Sequence, residues 1–331
     1  MLGRRGVVAA GGVVAAAGLL GLPASARAAY PDRPVRLVVP FGAGGNLDTL
    51  ARLVAPGMSR RLGGQPVVIE NRPGAGGNLG AEIVATAAPD GYSVLVGSNG
   101  GLVTNPLLMA RMPYDAARAF APIGLGFRTP NVLVVSPKLP VTSLAEFIAY
   151  AKARPNGVTC ASAGIGTTNH LLIELLNAAT GMGMVHVPYR ASGASMADLL
   201  SGALTASMDQ ITTALPQHRD GALRILGIGL GQRAPLLPEV PTFGEVGLQD
   251  GGLVSFIGLL VPAATPEEPR QRLQEALAGA LGEPALRERV EAIGNLLATP
   301  EERTPAGFAA LIVRERELSR RAIALAGLKP E

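Results

Sequence analysis

The stretch VRLVVPFGAGGNLDTLARLVA, residues 35–55, decides the fold. Its first seven residues are apolar apart from Arg36 and are typical of a buried strand. A glycine-rich turn follows, and from Leu47 apolar residues recur at Leu50 and Val54 with the spacing of an amphipathic helix. The stretch therefore predicts a strand, a glycine turn and a helix in that order.

The same alternation of extended and helical segments runs through the rest of the chain. Further strand-like runs lie at 66–69, 92–98, 158–163, 184–189, 204–209 and 223–230, and helix-like segments at 81–87, 105–111, 143–154, 170–180, 194–202 and 211–221. Apolar strands joined through helices predict mostly parallel sheets with helices on both faces. We therefore expect an α/β fold, and a chain of 331 residues with 48% hydrophobic content is long enough for two such lobes.

Two strand-like segments, 121–135 and 254–262, predict where the chain passes between the lobes. They lie at the edges of the second set of alternating elements. The first lobe is accordingly predicted to be discontinuous, with residues 29–128 and 254–331, and the second to comprise residues 129–253. Two long amphipathic segments near the C-terminus, 270–281 and 305–326, are expected to close the first lobe as surface helices.

The N-terminus has the pattern of an export signal. Arginines at positions 4 and 5 precede an apolar run, residues 7–22, and A-x-A cleavage sites follow within residues 24–28. Because the run is short for a membrane span, we expect residues 1–28 to be a cleaved signal. The ordinary secretory route and the twin-arginine route both stay open.

Charge and cysteine content exclude several classes of protein. The chain has 29 basic and 25 acidic residues, and since residues 1–28 contain three arginines and no acid, the remainder has a net charge of +1. No basic cluster with aromatic neighbours is present in the sequence, so nucleic acid is not an expected partner. Cys160 is the only cysteine, which excludes an internal disulfide and a thiolate metal site.

Glycine-rich loops with a common layout form the candidate binding site. The six residues GAGGNL occur at 42–47 and again at 74–79, each time between a strand-like and a helix-like segment, and GIGTTNHLL at 164–172 has the same layout in the second lobe. The first N–H groups of a helix have no intrahelical acceptor and form the positive end of its dipole, and glycine lets a ligand approach them. The sequence therefore predicts an anion site between two lobes.

The same loops do not fit the enzymatic motifs that use glycine turns. A dinucleotide fingerprint requires glycine where Leu47 stands, and a phosphate loop requires a Gly-Lys-Ser/Thr ending that none of them has. The nearest match to a nucleophile elbow, CASAG at 160–164, begins with cysteine. No spacing pairs His170 with a nucleophile or with two further metal ligands. We therefore predict that the chain is not an enzyme and has no metal or other cofactor.

Four polar residues near the loops have a structural alternative that the sequence leaves open. Asp48 is either a first-turn acid favoured by the helix dipole, or a group that rejects a second anion or receives a ligand amine. His170 either lines the site or caps its helix. Tyr189 either contacts a ligand or packs half-buried, and Asp209 either lines the site or accepts hydrogen bonds from the following turn.

Six collinear segments carry a family resemblance. In order they are PFGAGGNLDTLARLVA, IENRPGAGGNLGAEIVATAAPDGYSVLVGS, GIGTTNHLLIELL, VPYRASGASMADLLSG, RAPLLPEVPTFGEVGL and GLLVPAATP. From about residue 30 to the end, the chain resembles the extracytoplasmic solute receptors of tripartite tricarboxylate transporters, often called Bug receptors. The resemblance implies a periplasmic protein with a two-lobed, type II periplasmic-binding-protein-like fold, two crossing hinge strands and closure around one small ligand.

The resemblance also implies where the ligand is held. In that family a ligand carboxylate is bound by the loop after the first strand and by the matching loop of the second lobe, partly through ordered water. Carried over to this chain, the implied ligand-binding residues are Phe41, Gly42, Gly44, Gly45, Asn46, Asp48, Gly76, Gly77, Asn78, Ser98, Asn99, Gly166, Thr167, Thr168, His170, Tyr189 and Asp209. Where many relatives have a hydroxyl residue before the aspartate of the first loop, this chain has Asn46-Leu47, which implies a shifted specificity.

The implied function is that of a monomeric receptor for a small organic carboxylate, which is a di- or tricarboxylate, an aromatic acid or an acidic amino acid. Its implied partners are the membrane subunits of a tripartite tricarboxylate-type transporter. Two alternatives stay open. A carboxylate-sensing receptor coupled to a signalling partner would use the same pocket, and a secreted α/β hydrolase would require a Ser/His/acid constellation that the sequence does not present.

Overall fold

The computed structural model describes residues 30–190, 193–248, 253–325 and 327–330. The predicted export signal, residues 1–28, lies outside the described residues and stays a prediction. The strands are β1 (Val35–Val39), β2 (Val67–Asn71), β3 (Ser93–Ser98), β4 (Phe120–Thr129), β5 (Asn131–Val135), β6 (Thr159–Ser162), β7 (Val185–Pro188), β8 (Ala206–Gln210), β9 (Arg224–Ile228), β10 (Ser255–Pro262) and β11 (Leu296–Leu297). The helices are α1 (Asn46–Arg61), α2 (Asn78–Ala85), α3 (Asn105–Leu108), α4 (Leu144–Lys152), α5 (Thr168–Thr180), α6 (Met196–Ser201), α7 (Ile211–Arg219), α8 (Glu267–Leu281), α9 (Pro284–Ala292) and α10 (Pro305–Leu325).

The strands form two sheets, which confirms the predicted two-lobed α/β fold. The first sheet has the order β11-β4-β10-β3-β1-β2 and the second the order β7-β6-β8-β5-β9. Each sheet is mixed, but most of its strands run in one direction, as predicted: β1, β2, β3 and β4 do so in the first sheet, and β6, β7, β8 and β9 in the second. β1, β2 and β3 pair in parallel, as do β6, β7 and β8, whereas β10 is antiparallel to β3 and β4, and β5 is antiparallel to β8 and β9. The antiparallel pairs arise because β4, β5 and β10 carry the chain between the sheets without a crossover helix.

The two passages between the sheets lie side by side. β4 runs through Pro130 directly into β5, and the return passage enters β10 at Ser255, whose register partner is Thr129 at the end of β4. The fully buried Asn131 joins the passages, because its Nδ2 donates to the carbonyl oxygen of Leu253 (3.0 Å) and its Oδ1 accepts from Ser255 Oγ (3.3 Å). The division at residues 128/129 and 253/254 stays a prediction, and these passages are its structural support.

Helices cover both faces of each sheet, as the sequence predicts. In the first lobe, α1 and α8 pack on one face and α2 with the start of α10 on the other. In the second lobe, α4 and α5 pack on one face and α6 and α7 on the other. Leu50 and Val54, the apolar positions that predict α1, are fully buried. None of the helices in the described ranges is long and apolar enough to cross a membrane.

The C-terminal helix α10, which was predicted to close the first lobe, packs against the second lobe as well. Phe308 and Leu311, in its first half, pack in the first lobe. Ala322 and Ile323, near its end, belong to the core of the second lobe, and Leu328 beyond the helix packs against the same core. α10 therefore contacts both lobes, which helix periodicity alone does not predict because it identifies an apolar face but not the surface that the face covers.

Candidate functional site

A small inner pocket lies between the two lobes, where the N-termini of α1 and α5 face each other. The first lobe contributes Phe41, Gly45, Asn46, Leu47, Ser98, Asn99 and Gly100, the second contributes Ala163, Thr167, Thr168, Asn169 and Gln210, and the hinge strand β10 contributes Ser255 and Ile257. The pocket volume is about 60 Å³, enough for a carboxylate group and a bridging water. None of these lining residues is charged at neutral pH, so an anion bound here would be held by neutral donors.

Backbone N–H groups from both lobes are available at the inner pocket. The first N–H groups of a helix have no intrahelical acceptor. Among the described residues, no backbone carbonyl or side chain accepts from the N–H groups of Asn46, Leu47, Thr168 or Asn169. Gly45 precedes α1 with an extended backbone, φ −75° and ψ 172°, and has no side chain to cap the helix. All four residues line the inner pocket. The two helix ends therefore offer unpaired donors from opposite sides.

Asn99 adds a side-chain donor. Its Oδ1 accepts a hydrogen bond from the N–H of Phe256 on β10 (2.7 Å). Because a buried backbone N–H needs an acceptor, this bond fixes which end of the amide is the oxygen. The amide NH₂ of Asn99 is left as a donor, and the residue lines the inner pocket.

Asn46 instead presents an acceptor without a partner. Its Nδ2 donates to Thr129 Oγ1 (2.6 Å), and that hydroxyl in turn donates to Asn295 Oδ1 (2.8 Å). The Oδ1 of Asn46 is buried and has no hydrogen-bond partner among the described residues. A buried acceptor without a partner is costly, so this oxygen calls for a water or a ligand donor in the pocket.

A larger outer chamber of about 800 Å³ adjoins the inner pocket. The two share Phe41, Ala163 and Thr167. The outer chamber is lined further by Pro73–Gly77, Asn105, Leu108, Met109, Gly164–Gly166, His170, Pro188–Arg190, Leu328 and Lys329. Residues of both lobes and of the segment after α10 thus surround one continuous cleft.

The structure brings together twelve of the seventeen residues expected at the site. The inner pocket contains Phe41, Gly45, Asn46, Ser98, Asn99, Thr167 and Thr168, and the outer chamber contains Phe41, Gly76, Gly77, Gly166, Thr167, His170 and Tyr189. Five expected residues line neither cavity, namely Gly42, Gly44, Asp48, Asn78 and Asp209. The ligand contacts of all seventeen stay predictions.

Asp48 stabilises the first glycine loop through hydrogen bonds and does not line the pocket. Its carboxylate accepts hydrogen bonds from the N–H of Gly44 (2.9 Å), from Asn71 Nδ2 (3.0 Å) and from Arg52 Nε (2.7 Å). Burial acts to raise the pKa of this carboxyl, but the bonds from Arg52, Gly44 and Asn71 outweigh burial and lower the pKa below its usual value. The arrangement agrees with the structural alternative, in which the acid favours the helix N-terminus.

Asn78 and Asp209 also accept hydrogen bonds from neighbouring groups of the protein. Asn78 Oδ1 accepts from Asn105 Nδ2 (2.8 Å) and from the hydroxyl of Tyr114 (3.0 Å). The Asp209 carboxylate accepts from the N–H of Gly193 (3.0 Å) and of Gln210 (2.7 Å), which is the turn-binding alternative stated for it. Both side chains are almost completely buried.

His170 binds the glycine loop rather than capping its helix. The cap of α5 is Thr167, whose Oγ1 accepts from the N–H of His170 (3.3 Å). The His170 ring accepts from the N–H of Gly166 at Nδ1 (3.2 Å) and stacks on His186 with ring centroids 4.0 Å apart. The N–H of Gly166 is therefore already used, and the donors of this loop begin at Thr168.

Among the described residues of the second lobe, one serine hydroxyl contacts a histidine ring. Ser162 Oγ and His186 Nε2 lie at a hydrogen-bonding distance of 2.6 Å. Burial, with the charge of His170 as a further cause, lowers the pKa of His186 to about 4. Ser162 is buried and lines neither cavity, so the cleft does not give a substrate access to its hydroxyl. The described residues also contain no cluster of side chains suited to a metal ion.

Several residues at the cleft were not predicted from the sequence. They are Thr104, Asn105, Thr129, Asn131, Gln210, Ser255 and the tail residues Leu328 and Lys329. The one available signal was the position of Gln210 at a strand end. The others are brought to the cleft by tertiary contacts between segments far apart in the chain.

Comparison with known proteins gives a consistent set of relatives. A family described as "Tripartite tricarboxylate transporter family receptor" matches residues 50–314. Protein BugT of Bordetella pertussis is 36% identical over 277 residues, which cover 83% of this chain and 84% of BugT. A Rhodopseudomonas palustris structure with adipate is 34% identical with a TM-score of 0.86, covering 91% of this chain and all of its own. MatC of the same organism, with bound malate, is 34% identical with a TM-score of 0.83, covering 89% of this chain and all of its own.

Proposed function

The chain belongs to the tripartite tricarboxylate transporter receptor family, and from this premise we propose that it captures a small organic carboxylate between its lobes and delivers it to a tripartite membrane transporter. Members of the family are periplasmic solute-binding receptors. In the proposed mode, the helix N-termini of both lobes, the Asn99 amide, hydroxyl groups and bridging waters bind the carboxylate.

One observation carries the proposal. Unpaired N–H groups at the N-termini of α1 and α5, from opposite lobes, converge on a pocket without charged side chains. Such a pocket favours a single negative group, because both helix dipoles present their positive ends. It has no carboxylate that would attract a cation, and it is too small for a sugar ring to enter.

The energies are sufficient for such a site. Micromolar affinity requires about −8 kcal/mol. Each helix N-terminus contributes up to about 2 kcal/mol when partly buried. Hydrogen bonds to a charged group contribute roughly 1.5–3 kcal/mol each. Four backbone donors and the Asn99 amide, partly through water, therefore supply the required energy even without an arginine.

The relatives support the ligand class. The two R. palustris structures hold adipate and malate, which are both dicarboxylates. The partnerless Oδ1 of Asn46 also suits an organic acid, because it can accept from a water that bridges to the carboxylate. Acidic amino acids and aromatic acids share the carboxylate and belong to the same proposed class.

The experiment is a thermal-shift screen on the purified protein, followed by calorimetry. We expect one or more di- or tricarboxylates, aromatic acids or acidic amino acids to raise the melting temperature. At a ligand concentration of roughly 100 Kd, binding adds about 2.7 kcal/mol to the free energy of unfolding. Neutral sugars and free metal cations should give no shift. A sugar that binds while every carboxylate fails would overturn the proposal.

Transport and sensing are separated by a cellular measurement. Uptake of the labelled acid should depend on both the receptor and its membrane subunits if the protein delivers ligand to a transporter. Unchanged uptake in cells without the receptor, together with a loss of the acid's effect on gene expression, would favour the sensing alternative. The hydrolase alternative predicts that the unchanged protein cleaves esters and that Ser162→Ala does not. We expect no ester cleavage by the unchanged protein or by the variant.

A further inference from the structure

The outer chamber is much larger than a carboxylate requires. The inner pocket of about 60 Å³ accommodates the carboxylate itself, whereas about 800 Å³ lies beyond the junction formed by Phe41, Ala163 and Thr167. A ligand held by its carboxylate therefore directs the rest of its body into the outer chamber. The chemistry of that chamber then decides which acids bind.

Apolar side chains dominate the walls of the outer chamber. Ile165 is 58% exposed and Met109 is 37% exposed, and both line the chamber together with Leu108, Pro188 and Leu328. Ile165 stands between Gly164 and Gly166, whose φ values of 124° and 76° fix the loop in a form that leaves the side chain uncovered. An exposed apolar surface at a ligand cleft marks a place where an apolar group binds.

The charged side chains that line the outer chamber are all basic. Arg190 and Lys329 line it, and no acidic side chain does so among the described residues. Neither cation has a salt bridge or a side-chain hydrogen bond to a described residue. Unpaired cations beside an apolar wall suit a second anionic group at the far end of an apolar body.

We propose that the outer chamber is a second subsite that selects organic acids with an apolar body and a distal carboxylate, and that Ile165, Leu328 and Arg190 determine this specificity. The inference rests on the proposed function, because the first carboxylate must occupy the inner pocket. Leu328 and Lys329 belong to the segment after α10, so the C-terminal tail forms one wall of the subsite.

The test compares three probes by calorimetry with the full protein. Butanedioate has two carboxylates and almost no apolar body, octanoate has the body without the distal carboxylate, and octanedioate has both. We expect octanedioate to bind at least about tenfold more tightly than butanedioate. Ile165→Ser and Leu328→Gln should each weaken octanedioate about fivefold and leave butanedioate within about twofold. Arg190→Gln should weaken octanedioate and leave octanoate unchanged.

The matched control is Val313→Ser on α10, which changes an apolar residue that is 67% exposed and lines neither cavity. It should leave all three affinities unchanged. Butanedioate binding as tightly as octanedioate would overturn the second subsite while the proposed carboxylate receptor stands. Failure of every organic acid in the thermal-shift screen would instead contradict the proposed function itself. Because two wall residues from separate segments are tested, misfolding of one variant leaves the other decisive.

Discussion

The hydroxyl of Thr104, in the first lobe, donates a hydrogen bond to the carbonyl oxygen of Gly166, in the glycine loop of the second lobe. The neighbouring Asn105 lies so close that a Cβ atom on Gly166 would stand 2.9 Å from its Oδ1. The lobes therefore touch at the cleft between them. A ligand that stabilises this arrangement adds its binding energy to contacts that the protein already makes.

Thr104→Val removes the bond between the lobes and keeps the shape of the side chain. Without this hydrogen bond, the arrangement with touching lobes should be about 1 kcal/mol less stable relative to the separated lobes. This corresponds to a roughly fivefold weaker affinity for the acid. Calorimetry measures the affinity, and small-angle scattering should show a larger radius of gyration without ligand. Thr86→Val is the control, because the Thr86 hydroxyl, just after α2, donates only to the backbone carbonyl of Glu82 in that helix (2.8 Å). Equal affinities of Thr104→Val and the unchanged protein would contradict the role of this contact.

Gly45→Val tests the inner pocket directly. The backbone at Gly45 is extended, and a Cβ atom there would meet only the carbonyl oxygen of Gly42, at 3.3 Å. The fold should therefore tolerate valine, while its methyl groups occupy the space in front of the helix N-terminus. We expect binding of every carboxylate to be lost and the melting temperature without ligand to change little.

Gly231→Val is the matched control for this substitution. Nothing lies within 4 Å of a Cβ atom at Gly231, and the residue lines neither the inner pocket nor the outer chamber. Its affinities should equal those of the unchanged protein. Normal carboxylate binding by Gly45→Val would place the ligand elsewhere.

The sequence predicts local elements well because their apolar periodicity is local. Leu50 and Val54 repeat on one helical face and are fully buried in α1. α9 was not predicted, since its nine residues bury only Leu286 and Val290 and are otherwise mostly polar. Periodicity identifies a helix only when several turns present an apolar face.

Partners that are distant in the chain set the rest of the site. Asn131 bonds to Leu253, 122 residues away, and Thr104 to Gly166, 62 residues away. The glycine loops could be recognised as helix N-termini, because a strand, glycines and a helix follow one another directly. Nothing in the local pattern around Thr104 or Leu328 indicates that either lies at the same cleft.

Asn131→Leu tests the hinge. The substitution removes the donor to Leu253 and the acceptor for Ser255 and Asn169, all buried. Leaving these groups unpaired should lower the free energy of unfolding by about 2–5 kcal/mol, measured by urea unfolding. Because Asn169 lines the inner pocket, ligand affinity should fall as well.

Asn177→Leu is the control for the hinge. Asn177 makes two hydrogen bonds with the backbone of Met184, both within the second lobe. This variant should also be less stable but should keep its ligand affinity. A stability loss in Asn131→Leu without any change in affinity would argue against coupling between the hinge and the pocket.

His186→Gln tests the pH dependence of stability. Burial and the charge of His170 lower the pKa of His186 to about 4, from an ordinary value of 6.5. Between these two pH values the unfolded chain binds a proton at this ring and the folded protein does not, so the free energy of unfolding falls as the pH drops from 6.5 toward 4. The groups around the ring are Ser162, the stacked His170, and Glu174, whose Oε1 lies 3.9 Å from His170 Nε2.

We expect the unchanged protein to lose about 1–2 kcal/mol more stability than His186→Gln between pH 7 and about pH 4.5, because the half-buried ring keeps some contact with solvent. Urea unfolding at both pH values measures the difference, and comparison with the variant removes the contribution of the carboxylates. Parallel stability curves for His186→Gln and the unchanged protein would mean that the folded protein accommodates the charged ring, and that the Ser162–His186 contact does not require neutral imidazole.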